Sequence, residues 1–411
     1  MALDMRVLQA HEWDIWYEHL ELAFGGVHFS PERRDLHRSL TEVERSLGVW
    51  DGETCVGSAA AYTFRLTVPG GALVPAAGVT MVGVAPTHRR RGLLTSMMRR
   101  QLDDVRAGGE PVAVLTASEP AIYGRFGYGT ATYALSVTID TARVRLSVPP
   151  GTDGVRLRIV DPQEALADCE RVYAELVARR PGMLARQPGW ERALVLDPEV
   201  QRAGASPLKC VVAESADGAV VGYTRYRVRA DWDVQGPAGK VEVANLDALD
   251  PAATAALWRY LFEIDLTSSV RAEVRPVDDP VLHLVSDVRR SQPTPRDSLY
   301  LRLVDLPAAL EARTYGAPLD VVMEVEDAFC PWNEGRWRLT ADASGVARCT
   351  RAAEPADLAL SVRELGSAYL GGITLTSLSA AGRVRELRPG AVTEASRAFA
   401  GDVAPWLPHG F

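Results

Sequence analysis

The sequence predicts a mixed α/β protein made of two related units and a third unit of different texture. Three observations carry this. A strand–turn–helix–strand succession fills the first ~120 residues, the same pattern recurs after residue 210, and from about Leu299 short strand-like runs surround one helical stretch. At roughly 100–200 residues per domain, 411 residues allow two to four. Domains are expected at 1–148, 149–296 and 297–411, with proline- and serine-bearing linkers near 147–154 (SVPPGTDG) and 291–298 (SQPTPRDS).

Each element has a local reason. Glu12 to Phe24 repeats Trp13, Trp16, Leu20 and Phe24 along one face, which predicts a helix. Two apolar runs around Asp51-Gly52 predict a hairpin. A strand over Val79–Ala85 stops at Pro86, and an amphipathic helix follows from about Gly92 to Val105. A buried strand, Pro111 to Thr116, leads into the glycine-rich YGRFGYG. In the second unit, 211–228 repeats the hairpin on Asp217-Gly218, and 240–262 repeats the strand and helix. The third unit shows LYLRLVDL, LDVVMEVED, GRWRLTAD and ADLALSV as strands, a helix near Val362 to Leu370, and Pro331 to Trp337 as an aromatic hairpin.

Composition narrows the function classes. Formal charge is −8, and only Lys209 and Lys240 are lysines, so nearly all basic residues are arginine. With no basic arm, nucleic acid is a poor partner. No apolar run approaches the ~20 residues of a membrane span, and the N-terminus lacks a signal peptide's apolar core. Cys55, Cys169, Cys210, Cys330 and Cys349 are odd in number and scattered, which points to reduced thiols in a cytoplasmic protein; no metal site is expected.

The sharpest chemical signal is V-G-V-A-P-T-H-R-R-R-G-L, residues 82–93, continuing into Leu94. A strand ends, three arginines follow, and a glycine opens a helix whose first N–H groups lack partners. Arginines add bidentate phosphate contacts, so a pyrophosphate suits this turn. A solvated basic turn before an ordinary helix is the plainer alternative. The second unit has Asp250-Pro251-Ala252-Ala253 at the matching turn, where an acidic residue repels phosphate, so this copy reads as a fold without its ligand site.

This turn resembles the acetyl-coenzyme A signature of GCN5-related N-acetyltransferases (GNAT), Gln/Arg-x-x-Gly-x-Gly/Ala, here Arg89-x-x-Gly92-x-Leu94 with leucine departing at the last position. SEPAIYGRFGYGTAT (118–132) and an apolar C-terminus narrow the likeness to the enhanced intracellular survival (Eis) family of actinobacterial acetyltransferases, over essentially the whole chain. The resemblance implies tandem GNAT folds, the second degenerate, a C-terminal α+β domain like sterol carrier proteins, and a homohexamer. It implies acetyl-coenzyme A along Val82, Gly83 and Val84, its pyrophosphate on Arg89, Arg90, Arg91, Gly92, Leu93, Leu94 and Thr95, and Ser118 with Glu119 beside it. It implies Tyr123 as general acid and the Phe411 carboxylate as general base.

The residues support these roles less sharply. Acetylating an amine of pKa ~10 requires a group that collects a proton, and the departing thiolate wants one back. Val82 offers a backbone N–H for oxyanion stabilisation where the strand opens. Tyr123 opens the glycine-rich loop; taken alone, it reads more simply as a tyrosine packed under the loop with Phe126 and Tyr128. The tail APWLPHGF carries Trp406, Leu407 and Phe411, costly to expose at about 1.5–3 kcal/mol each, and Pro405 and Pro408 stiffen it. It reads as a rigid tail that inserts into a pocket, or docks on a neighbouring surface. The resemblance implies an acidic helper just before the terminal residue, where this chain has Gly410. Met81 is a candidate for the acceptor pocket or for the core, and Glu12, Asp14, Glu18 and Glu21 form an acidic face that attracts cations or is merely solvated. The acceptor expected is a primary amine on a polycationic, aminoglycoside-like small molecule. Protein lysine or a polyamine is an alternative, and so is a non-catalytic lipid carrier.

Overall fold

The computed structural model describes residues 3–26, 28–234 and 236–411. The first sheet runs β1 (Asp4–Val7), β2 (Ser46–Asp51), β3 (Thr54–Thr67), β4 (Leu73–Val84) and β5 (Val112–Thr116), then the strand Leu299–Leu303 and the short Gly129–Thr130. Helices α1 (Trp13–Ala23) and α2 (Pro31–Leu40) precede β2, α3 (Leu93–Ala107) links β4 to β5, and α4 (Pro120–Tyr123) follows β5. Trp13, Trp16 and Leu20 bury one face of α1, as their spacing predicts, with Tyr17 beside them; Phe24, expected on the same stripe, lies just past the end of the helix and is exposed. Met98, Leu102 and Val105 of α3 pack with Ala77, Val79, Ala113 and Leu115 of the sheet.

The second sheet repeats this order: Arg156–Val160, Lys209–Glu214, Val220–Arg229, Gly239–Ala248 and Thr267–Pro276, with the helix Pro251–Phe262 between the last two. The sheets cross the expected domain boundaries. Leu299–Leu303, placed by sequence in the third unit, pairs with β5; Tyr133–Asp140, placed in the first, pairs with Thr267–Pro276. Each unit lends its neighbour the strand beside the parallel pair. The expected linker at 291–298 contains an edge strand, Thr294–Asp297, paired only with the exchanged Tyr133–Asp140. An edge position is where Pro295 is tolerated.

The third sheet comprises Leu319–Glu326, Gly335–Ala341, Ala347–Arg351, Leu358–Ser361 and Val384–Glu386, flanked by helices Leu306–Ala312, Val362–Ala368, Leu375–Ala380 and Ala391–Phe399. Pro331–Asn333 is a short turn ahead of a strand, not half of a hairpin, because Trp332 and Trp337 each donate an indole N–H to the backbone, to Val304 and Asn333. The largest core joins this unit to the first: Phe64, Leu66 and Val114 share it with Leu301, Val321, Leu339, Leu365 and Leu407. A buried Arg302–Asp327 pair at 2.8 Å ties the exchanged strand to the third unit. Among the described residues no helix is long and apolar enough to cross a membrane.

Candidate active site

The site begins with strands that part. β4 and β5 pair in parallel only at Ala76–Val112, Ala77–Ala113 and Gly78–Val114; beyond them Val79–Val84 has no partner on the β5 side. On the β3 side, Ser58 faces Gly83 and Ala60 faces Thr80, so β4 carries one extra residue there. Met81 takes φ of 52° in this bulge and its carbonyl accepts from Ser58 Oγ at 2.9 Å. A bulge beside a gap leaves the backbone of Val82, Gly83 and Val84 available to a ligand. Half-buried Met81 packs against both the Trp13–Trp16 cluster and the core shared with the third unit.

The arginine turn follows at once. Pro86–His88 forms one 3-10 turn, His88 Nε2 lies 3.4 Å from Asp51 Oδ2, and Arg90 and Gly92 take φ of 63° and 82°. Gly92 caps α3 without a side chain, and among the described residues the N–H groups of Leu93, Leu94 and Thr95 have no acceptor. Arg89, Arg90 and Arg91 are exposed, and among the described residues their guanidinium groups have no hydrogen bond or ion pair. Leu94, the departure from the signature, is half-buried against the cluster that holds Val82 and Tyr123.

Tyr123 ends α4, half-buried against the same buried cluster as Val82, Leu94 and Ile122, with the Tyr128 ring 6.1 Å away. Among the described residues its hydroxyl makes no hydrogen bond. Burial, and then the Glu119 carboxylate, push the phenol above its ordinary value, so it keeps its proton. Ser118 and Glu119 are exposed in the preceding loop.

The tail reaches β4 from the other side. Thr80 Oγ1 donates to the Phe411 main-chain oxygen at 3.3 Å, and the Phe411 ring meets Phe64 edge-on at 5.1 Å. Phe411 thus sits against β4 at Gly78 and Thr80, while Tyr123 packs on the buried cluster to which Val82 of β4 also contributes. The acidic face of α1 is largely engaged: Glu12 binds Arg6, Asp14 binds Arg34 and Arg38, and buried Glu21 accepts from Phe29 N–H and pairs with His28. Glu18 stays mostly exposed, 3.7 Å from Arg34.

Sequence reasoning missed Thr80, Ser58 and His19. His19 is buried, neither ring nitrogen has a side-chain partner, and its Nε2 lies 3.6 Å from where a Cβ on Gly83 would stand. Desolvation lowers its pKa, favouring the neutral ring. Strand register reveals Ser58 and Thr80, and the packing of α1 beside Gly83 reveals His19.

The second unit shows what a lost site looks like. Its parallel pair also parts, after Val243–Ala272, beside a bulge in Gly239–Ala248. There Arg275 fills the gap, donating to the Leu246 carbonyl at 2.7 Å and to Asp279 at 2.6 Å. Asp250 caps the following helix, accepting from Ala253 N–H at 2.8 Å. The backbone groups left open in the first unit are thus consumed in the second.

These folds place the chain in a known class. Residues 4–131 and 182–303 each match an acetyltransferase (GNAT) domain, and 306–408 match a sterol carrier protein domain. The chain is a tandem GNAT N-acetyltransferase with a sterol-carrier-like third domain. It is 66% identical, over the full length of both, to an uncharacterised N-acetyltransferase of Streptomyces avermitilis. It is 36% identical to N-acetyltransferase Eis of Mycobacterium tuberculosis, over 91% of each chain. The crystal structure of Eis1 from Mycobacterium abscessus superimposes with a TM-score of 0.85, at 36% identity over the whole of both chains. The chain belongs to the Eis family of N-acetyltransferases.

Proposed function

We propose that the chain transfers an acetyl group from acetyl-coenzyme A directly to a primary amine of a polycationic small molecule, aminoglycoside-like in chemistry, with Tyr123 as general acid and the Phe411 carboxylate as general base. The observation that carries this is a terminal carboxylate seated on the parted segment of β4, with a protonated phenol on the buried cluster that Val82 of that segment also packs against. The coenzyme fits the residues present. Three unpaired arginines and three free helix N–H groups suit its pyrophosphate, and the unpartnered edge of β4 suits its amide-bearing arm. When bound, it supplies the acetyl group as a thioester.

The protein's part is proton handling and orientation. The Phe411 carboxylate takes a proton from the acceptor's ammonium group, leaving the lone pair free to attack. The Tyr123 hydroxyl holds a proton for the leaving sulfur. The acceptor class rests on the family resemblance, with exposed Glu18 as the acidic group of α1 least committed to arginine. A homohexamer belongs to the same proposal and rests on the family resemblance.

Free thiol release from acetyl-coenzyme A, measured with aminoglycosides, polyamines and lysine peptides, tests the reading. Acceleration by aminoglycosides supports it, whereas acceleration by polyamines or peptides alone reassigns the acceptor. Replacing Arg89 and Arg90 by Ala is expected to raise KM for acetyl-coenzyme A about 10–100-fold, two charge-assisted contacts at ~1.5 kcal/mol or less each, with kcat within about threefold. An unchanged KM would return the turn to the solvated alternative.

A further inference from the structure

The second domain has closed its own coenzyme site, which leaves open why its polar groups gather around the tail. Among the described residues, the hydrogen bonds that residues 404–409 make outside the tail go to this domain. Arg180 donates to the Ala404 carbonyl at 2.8 Å and to Asp278 at 2.7 Å, and Asp278 accepts from Ala404 N–H at 3.1 Å. Trp406 N–H donates to the Pro181 carbonyl at 2.9 Å. A Cβ on Gly182 would stand 2.9 Å from Trp406 N, so only glycine lets the two backbones lie this close. The Trp406 ring packs with Tyr173, Val177 and Met183.

The last contact is the most directive. Arg186 Nε donates to His409 Nε2 at 3.4 Å, while Tyr173 OH lies 3.1 Å from the same nitrogen and donates to the Leu184 carbonyl. Arg186 is itself fixed, paired with Glu170 at 2.6 Å and stacked 3.3 Å over the Tyr173 ring. Leu184–Ala185 pairs with Leu66 and Arg65 of β3, so the residue after it is set by the first sheet. A guanidinium only donates, so Nε2 accepts and the proton sits on Nδ1. Nδ1–H then donates to the Gly410 carbonyl at 3.1 Å, which orients the last peptide and with it the Phe411 carboxylate.

We infer that the second domain serves catalysis as a clamp for the C-terminal carboxylate, and that His409, held by the Arg186 guanidinium, is its positioning residue. The inference rests on Phe411 being the base. It explains why a domain without its own ligand site keeps Glu170, Tyr173, Arg180 and Arg186 turned toward the tail.

The test compares His409→Ala and His409→Asn in the unmodified chain and in a chain extended by two glycines beyond Phe411. His409→Ala should lower kcat about 10–100-fold, the cost of misplacing a reacting group by about an ångström, with KM for acetyl-coenzyme A and the melting temperature nearly unchanged. His409→Asn, whose amide can still donate to the Gly410 carbonyl, should recover part of the loss. In the extended chain His409→Ala should cost little more, since both changes act on one carboxylate. A kcat unaffected by His409→Ala, or lowered equally in both chains, would overturn the clamp while leaving the base in place. An extension without effect would instead overturn the base on which the clamp rests.

Discussion

Extending the chain by two glycines beyond Phe411 is expected to lower kcat about 100–1,000-fold at neutral pH. General-base catalysis is worth roughly 10²–10⁴, and this change moves the proposed base without removing any side chain. The fold should survive, because the tail's anchors lie upstream: Trp406 and Leu407 are buried, and Ala404 and Trp406 hold the backbone. What is lost is the seat at Thr80 Oγ1, 3.3 Å from the terminal oxygen. The deficit should shrink as pH rises toward the acceptor amine's own pKa of ~10, where the amine loses its proton without help. The ratio of the two kcat values across pH 7 to 10 measures this. Equal kcat values throughout would place the base elsewhere, and a constant ratio would point to a structural rather than a proton-accepting role.

The fold was legible wherever pattern is local. The α1 helix, the hairpins on Asp51-Gly52 and Asp217-Gly218 and the helix after Gly92 form within a residue or two of their expected limits, and the strand before Pro86 ends where expected but begins at Leu73 rather than Val79. The duplication was legible too, because paired copies of strand, turn and helix need no knowledge of contacts. The exchange of Tyr133–Asp140 and Leu299–Leu303 was not. Each strand's alternation fits either sheet, and the choice is made by edges that meet only in three dimensions.

The site divides in the same way. Arg89 to Thr95 could be read directly, since a helix start and a run of arginines are sequence-local. Thr80 and Ser58 matter through a one-residue bulge at Met81 that no periodicity announces. Asp250 was expected to repel phosphate; its carboxylate also caps the helix, so the closed site has a hydrogen-bond reason beyond charge. Arg275, filling the second gap, was invisible because its partner Leu246 offers only a backbone carbonyl.

Tyr123→Phe is expected to cost about 10²–10⁴ in kcat, the range of a lost general acid, with little change in KM for acetyl-coenzyme A. Phenylalanine keeps the ring against Tyr128 and its buried cluster, and the hydroxyl it removes has no hydrogen bond among the described residues, so stability should hold within about 0.5 kcal/mol. The pH dependence separates this tyrosine from a packing residue. An acid works below its pKa, and burial with Glu119 raises the Tyr123 value above the ordinary 10.0. The wild-type rate should therefore rise with pH as the amine deprotonates and show no alkaline fall before pH 10. Rates for both proteins from pH 6 to 10.5, with thermal melts at each end, supply the comparison. A Phe variant with wild-type kcat would mean that the thiolate departs unaided and that the ring is there to pack. A variant that loses kcat and melting temperature together would assign the loss to the fold. Loss of kcat alone leaves the phenol with one remaining use, a proton kept in reserve beside the parted strands.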